Sequence, residues 1–164
     1  MRSVTVTGFL RSKEVNRLKI LVDADASPVQ TEIIEMAQRF AIQVVLVKSY
    51  AHFSIVEDEG VETVYVDQGA DAADYKIIQL STPGDVIVTG DYGLAALGLE
   101  KQCIVMHHTG FFFSKESMDR LLMQRHEGAM RRKSGQRTKG PKPFTNEERE
   151  YFRTQLEKVL IGLE

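Results

Sequence analysis

The chain has little of what would mark a disulfide-held, zinc-bound or membrane protein. Its single cysteine, Cys103, excludes an internal disulfide and is too little for a cysteine-based zinc site. No apolar run approaches the ~20 residues needed to cross a bilayer. The N-terminus lacks the apolar stretch and small-residue cleavage site of a signal peptide, so a cytoplasmic protein without membrane contact is the expectation. There is no internal repeat and no low-complexity tract. What remains is a chain of 164 residues, 43% hydrophobic and 27% charged, which is the composition of a globular domain of ordinary size.

The formal charge of -2 conceals an asymmetry. Between Arg120 and Lys142 stand eight Lys/Arg against one acid, Glu127, a local balance of +7 that leaves -9 for the remainder. A basic limb on an acidic body suggests an anionic partner held near an acidic, metal-requiring centre.

The stretch ILVDADASPV, Ile20 to Val29, organises the rest. An apolar run of strand length stops at Asp23, Asp25 follows two residues on, and Ser27-Pro28 reads as the cap and first turn of a helix. A carboxylate at the carboxyl end of a buried strand lies where open α/β sheets bind ligands. GADAADYKII (69 to 78) and DVIVTGDYGLAAL (85 to 97) repeat the layout with Asp71, Asp74 and Asp91.

Between these motifs, Gln43–Lys48 and Val61–Val66 read as strands, and residues 49–60 as a loop with a short helical turn. A helix over about 71–80, a strand over 85–89, a helix over 92–99 and a strand over 103–106 follow. Strands alternating with helices at this interval predict βαβ units and a mainly parallel sheet. Residues 1–17 are expected to be an extension outside a single domain spanning 18–164. A helix over 117–132 runs into the Gly/Pro-broken basic stretch. Thr145 with Glu148 is a capping box opening a C-terminal helix over 146–163, whose apolar face needs a partner.

Aspartates crowded at strand ends repel one another unless a cation neutralises them, and oxygen ligands suit Mg²⁺ or Mn²⁺. Asp23, Asp71, Asp74 and Asp91 are the candidate catalytic residues and metal ligands. Asp25 is either a further ligand or a cap for the helix near Pro28; Asp67 and Asp85 read as surface residues. Arg125, His126, Arg131, Arg132, Lys133, Arg137, Lys139 and Lys142 are the candidate nucleic-acid contacts, since an irregular cationic segment follows a phosphate backbone. His107 and His108 read as polar loop residues, Phe111 to Phe113 as partly core, and Cys103 as core.

The DADAS stretch also resembles the DxDxT signature of haloacid-dehalogenase-like phosphohydrolases, in which Asp23 would be a nucleophile. Taken together, DADASPV, GADAADYKI, GDVIVTGDYGLAA and RHEGAMRRKSGQRTKGPKPF resemble the YaiI/YqxD family of bacterial proteins, classed with the PIN-like nucleases. The resemblance runs from about Leu18 to Leu160. It implies a three-layer α/β domain with a central, mainly parallel sheet and a helical, basic C-terminal portion. By correspondence, Asp23 is the acid ending the first strand, Asp71 and Asp74 the acids of a central helix, and Asp91 the acid after the TGD strand. The activity implied is metal-dependent hydrolysis of RNA, most readily single-stranded. The family usually has cysteine where this chain has Ser27, so no thiol role is implied there. Alternatives are a nucleic-acid-binding protein of the same fold without catalysis, and a small-molecule phosphohydrolase. Oligomeric state is not legible.

Overall fold

The computed structural model of the chain describes residues 18–55, 58–69, 71–135 and 143–162. The expected extension over 1–17, and Arg137, Lys139 and Lys142 of the basic stretch, lie outside the described residues. In chain order the elements are β1 (Lys19–Asp23), α1 (Gln30–Phe40), β2 (Gln43–Ser49), a short 3₁₀ turn (Tyr50–His52), β3 (Val61–Val66), α2 (Ala72–Leu80), β4 (Val86–Val88), α3 (Tyr92–Glu100), β5 (Ile104–Met106), α4 (Lys115–Lys133) and α5 (Asn146–Gly162).

The five strands form one sheet in the order β3-β2-β1-β4-β5, and every pairing is parallel. Parallel strands buried on both faces read as continuous apolar runs, which is why ILV, VVLV and VIV carry no polar alternation. Val22 lies in register with Leu46 on one side and Val88 on the other, so β1 is the central strand. From β1 the chain winds outward first through β2 and β3, then through β4 and β5. The order therefore reverses between β1 and β4, and a doubly wound sheet opens a crevice at the carboxyl ends of those two strands.

Successive strand residues point to opposite faces, and the core divides accordingly. Ile20, Val22, Val44, Leu46, Val86 and Val88 pack against α1 and α5 through Ile33, Met36, Phe152, Leu156 and Leu160. Leu21, Val45, Val47, Ile87 and Val105 pack against α2, α3 and α4 through Ile77, Leu94, Ala95 and Met118. The parallel sheet is the one the sequence pattern predicts, and helix layer, sheet and helix layer make the three-layer architecture that the resemblance implies. The partner the C-terminal helix required is α1. Beside the apolar seam Arg149 pairs with Glu32 at 3.2 Å, Arg153 with Glu35 at 2.7 Å and Arg39 with Glu157 at 3.2 Å.

Two expectations are corrected. The first helix begins at Gln30, with Val29 at its cap position and no capping side chain, instead of at Ser27-Pro28. Residues 24–28 form a turn closed by Ser27 N–H on the Ala24 carbonyl at 3.2 Å and by the Gln30 side-chain amide on the same carbonyl at 2.7 Å. Asp85, expected at the surface, is fully buried. Its carboxylate accepts from Lys19 Nζ at 2.8 Å, from the Lys19 N–H at 3.1 Å, and from the N–H and hydroxyl of Thr82 at 2.8 and 3.0 Å. A carboxylate with four donors tolerates burial. Here it ties the start of β1 to the turn before β4.

Candidate active site at the sheet's switch point

Asp23 is the last residue of β1, and its carboxylate emerges at the crevice where the strand order reverses. Its Oδ2 accepts a hydrogen bond of 3.1 Å from the hydroxyl of Thr89, the buried residue after β4. The same hydroxyl oxygen accepts the Asp91 N–H at 3.0 Å. Asp91 caps α3, its Oδ1 accepting from the Leu94 N–H at 3.0 Å. One hydroxyl thus fixes two aspartates from two strands relative to each other. Oδ1 of Asp23 and Oδ2 of Asp91 have no hydrogen-bond partner among the described residues.

These groups line a cleft of about 360 Å³ that also includes Ser27, Gly90 and His108. His108 belongs to a tight turn after β5, closed by Gly110 N–H on the His107 carbonyl at 2.9 Å. Gly110 has φ of +100°, and a Cβ there would meet the Tyr151 ring at 2.6 Å, so glycine lets the turn sit against α5. The ring of His108 packs against His107 with centroids 4.0 Å apart and planes tilted by 33°, and meets Phe144 edge-on at 5.5 Å. It lies over Gly90, where a Cβ would be 3.2 Å from Cε1 of the imidazole. Its nitrogens have no partner among the described residues. Burial lowers the pKa of His108, and burial together with His108 lowers that of His107 to about 4, so both rings are neutral at pH 7.

The remaining aspartates arrive from the other side of β1. Asp74 lies in the first turn of α2, and Asp71 precedes that helix as its cap residue, without a side-chain capping bond. Burial, then the charges of Asp91, Asp23 and Asp71, raise the Asp74 carboxyl to about 6. Asp23 is also raised, by burial first and then by Asp91 and Asp25, against the Thr89 hydrogen bond. Four carboxylates from three strand ends therefore share one field, as their positions in the sequence suggest.

Asp25 does something else. Both its oxygens accept from the Ser49 N–H, at 3.1 and 3.0 Å, and Oδ1 lies 2.9 Å from Nδ1 of His52. It clamps the turn after β1 to the end of β2 and does not cap α1. Among the described residues no three His, Cys, Asp or Glu side chains converge closely enough to hold one ion. The acids form an open rim, not a closed chelate.

Of the basic candidates, Arg125 reaches the site's edge: its guanidinium lies 5.0 Å from the ring centre of Tyr92, the residue after Asp91. His126, Arg131, Arg132 and Lys133 are exposed on α4, the last three in its final turn, where they complement the helix dipole. All three are helical: the expected helix over 117–132 takes in Arg131 and Arg132, and the structure extends it by one residue to Lys133. Sequence reasoning missed Thr89, Gly90 and His108. The signal was present, because His108 follows a buried strand by two residues just as Asp91 follows β4 by three.

The class these observations define is architectural: a doubly wound parallel α/β sheet with acids at its switch point, a fold that does not by itself fix a chemistry. The chain belongs to the family described as an uncharacterized BCR, YaiI/YqxD family, whose model matches residues 21–162. It is 55% identical over 144 residues to a UPF0178 protein of Bacillus cereus, covering 87% of this chain and 99% of that one. A UPF0178 protein of Bacillus anthracis is 56% identical over 147 residues, 89% of this chain and all of that one. No solved structure matches the chain. No helix among the described residues is long and apolar enough to cross a membrane.

Proposed function

We propose that the protein is a metal-dependent phosphodiesterase acting on single-stranded nucleic acid, RNA above all, with the crevice between β1 and β4 as its centre. The observation that carries this reading is the pairing of Asp23 and Asp91 through Thr89 across the switch point. Each carboxylate keeps one oxygen free of protein donors among the described residues, and both face a cleft large enough to admit a phosphodiester. The residues fit Mg²⁺ or Mn²⁺ as a partial set, because Mg²⁺ is commonly held by one or two carboxylates with water and substrate phosphate oxygens completing its shell. When bound, such an ion activates water and neutralises the phosphoryl oxygens.

The chain's own groups have separable roles. Asp23 and Asp91 would hold the ion, with Asp74 and Asp71 adding negative charge from α2. Thr89 fixes the spacing of the first two. His108, neutral and without a partner among the described residues, is placed to donate a ring N–H to a phosphate oxygen. Arg125 and the exposed cations of α4, with Arg137, Lys139 and Lys142 beyond the described residues, supply contacts to the backbone that carry no base information.

The haloacid-dehalogenase-like alternative is disfavoured by Asp25. That reading needs it as a general acid beside Asp23, whereas it is engaged with Ser49 and His52. A titration of the purified protein with Mn²⁺, followed by melting temperature and by the length of a single-stranded RNA, tests the proposal. The expected result is a metal-dependent rise in melting temperature, by mass action on the folded state, together with shortening of the RNA. A mobility shift without shortening would identify a binding protein instead, and a trifluoroberyllate adduct on Asp23 a nucleophilic phosphohydrolase.

A further inference from the structure

At the same edge of the sheet, beyond Asp74, four aromatic rings gather at the surface. Tyr65 lies near the end of β3, and the 3₁₀ turn after β2 folds over it. Tyr50 stacks on its ring at 5.8 Å with planes 20° apart, and Phe53 packs against it at 5.1 Å. Tyr50 is 59% exposed and Phe53 61%; Tyr75, on α2, is 76% exposed. Rings recruited to stabilise a domain are ordinarily buried, because most of an aromatic side chain's contribution comes from the area removed from water. Here much of that area is left in solvent.

The rings are held, not loose. The hydroxyl of Tyr65 donates to the Ser54 carbonyl and accepts from the Ser54 N–H, both at 3.1 Å. Asp25 anchors the other end of the turn through the Ser49 N–H and His52. Tyr50, Tyr65 and Tyr75 line a cleft of about 310 Å³ whose rim carries Asp67, Lys76 and Gln79. Flat π-faces with a cation and amide at the margin match a nucleobase, which offers a flat face and a polar edge. Val66 and Ala72 are the aliphatic residues of its lining, too few for the ridges and grooves that seat a protein helix.

We propose that the surface formed by Tyr50, Tyr65 and Tyr75 stacks unpaired bases of single-stranded nucleic acid and delivers the adjoining phosphodiester to the acidic cleft. This rests on the phosphodiesterase reading and adds the element that selects an unpaired strand. Continuity along the chain supports the direction of delivery. Tyr75 directly follows Asp74 on α2, and Asp25, which anchors the aromatic turn, lies two residues beyond Asp23. On this proposal a strand leaves the rings towards the carboxyl ends of β1 and β4, where the aspartates lie. A duplex cannot do so, because its bases are stacked on one another and unavailable to the rings.

The test uses the full chain with Ca²⁺ in place of Mn²⁺ to hold a short single-stranded RNA carrying 2-aminopurine. Stacking on the rings should quench its fluorescence at one or two positions in the strand. Tyr50→Ala and Tyr75→Ala should each weaken binding roughly 5- to 150-fold, the range for loss of one base–aromatic stack. They should relieve the quenching without altering the melting temperature of the protein by more than a few degrees. Tyr50→Phe and Tyr75→Phe should bind like the parent, since the ring face is kept. Asp23→Asn should lose hydrolysis in Mn²⁺. If the parent binds and cleaves RNA but the alanine variants bind it equally well, the stacking surface is overturned while the phosphodiesterase reading stands. Failure of the parent to bind any single strand would overturn both.

Discussion

Thr89 directly follows β4 and Asp23 ends the neighbouring parallel strand β1, and the 3.1 Å hydrogen bond between the hydroxyl of one and Oδ2 of the other ties the two sides of the crevice together. Because the same oxygen receives the Asp91 N–H, removing it disturbs both acids at once. Thr89→Val keeps the shape of the side chain and leaves a part-buried carboxylate oxygen and a backbone N–H without their partner. The expected cost is about 1–3 kcal/mol in unfolding free energy, read by chemical denaturation, with a loss of hydrolysis larger than the stability change explains. Thr89→Ser should restore most of both.

Asp74 gives a pH signature. Its carboxyl, raised from 3.8 to about 6, keeps its proton in the folded chain where the unfolded chain has already lost it. Between those values the folded state binds more protons, so the stability it contributes is present below the window and lost as pH rises through it. Asp74→Asn should therefore melt higher than the parent at neutral pH. The gain should be less than about 1 kcal/mol, since the side chain is part-exposed and screened. The two curves should converge below the window. A parent that is more stable than Asp74→Asn at neutral pH, without metal, would mean the acids do not repel.

The histidine pair acts with the opposite sign. His107, lowered from 6.5 to about 4, is neutral when folded while the unfolded chain takes up a proton, so its contribution is present above 6.5 and lost as pH falls towards 4. Glu148, on α5, opposes this in part. His107→Phe preserves the stacking on Phe111 and removes the titration. Its melting temperature should fall less than the parent's on acidification through this window, measured by calorimetry at fixed ionic strength.

The strand ends and their acids were legible because buried parallel strands must be apolar throughout, so the residue where the run breaks is conspicuous. Asp23 and the TGD of Thr89 to Asp91 stand out in that way. The strand order that makes β1 and β4 neighbours was not legible, since it depends on which way each crossover winds. Without it Thr89 could not be paired with Asp23, nor His108 placed over Gly90. Asp85 was misplaced for a related reason: an aspartate before a strand resembles a turn residue until Lys19 and Thr82 are seen to enclose it. The aromatic turn was hidden because Tyr50 and Phe53 meet Tyr65 only through the β2–β3 pairing.

Asp85 supplies a test of the fold independent of function. Asp85→Ala strips the partner from Lys19, which is 19% exposed at its side chain, and from the Thr82 N–H and hydroxyl. Breaking a buried pair by removing one member costs about 3–5 kcal/mol, and Asp85→Ala should lose about that much in denaturant unfolding. A loss under about 1 kcal/mol, the range of an exposed pair, would contradict the buried placement of this carboxylate.

The most direct measurement of the central claim is the initial rate of single-stranded RNA hydrolysis in Mn²⁺ by the parent, Asp23→Asn and Asp91→Asn, purified side by side, with melting curves of all three. The account predicts that the parent cleaves and stops when the metal is chelated. Both variants should fall to background while melting at or above the parent's apo temperature, since each amide keeps the carboxylate's shape and removes its charge. Variants that cleave at the parent's rate, or a parent that does not cleave at all, would contradict it.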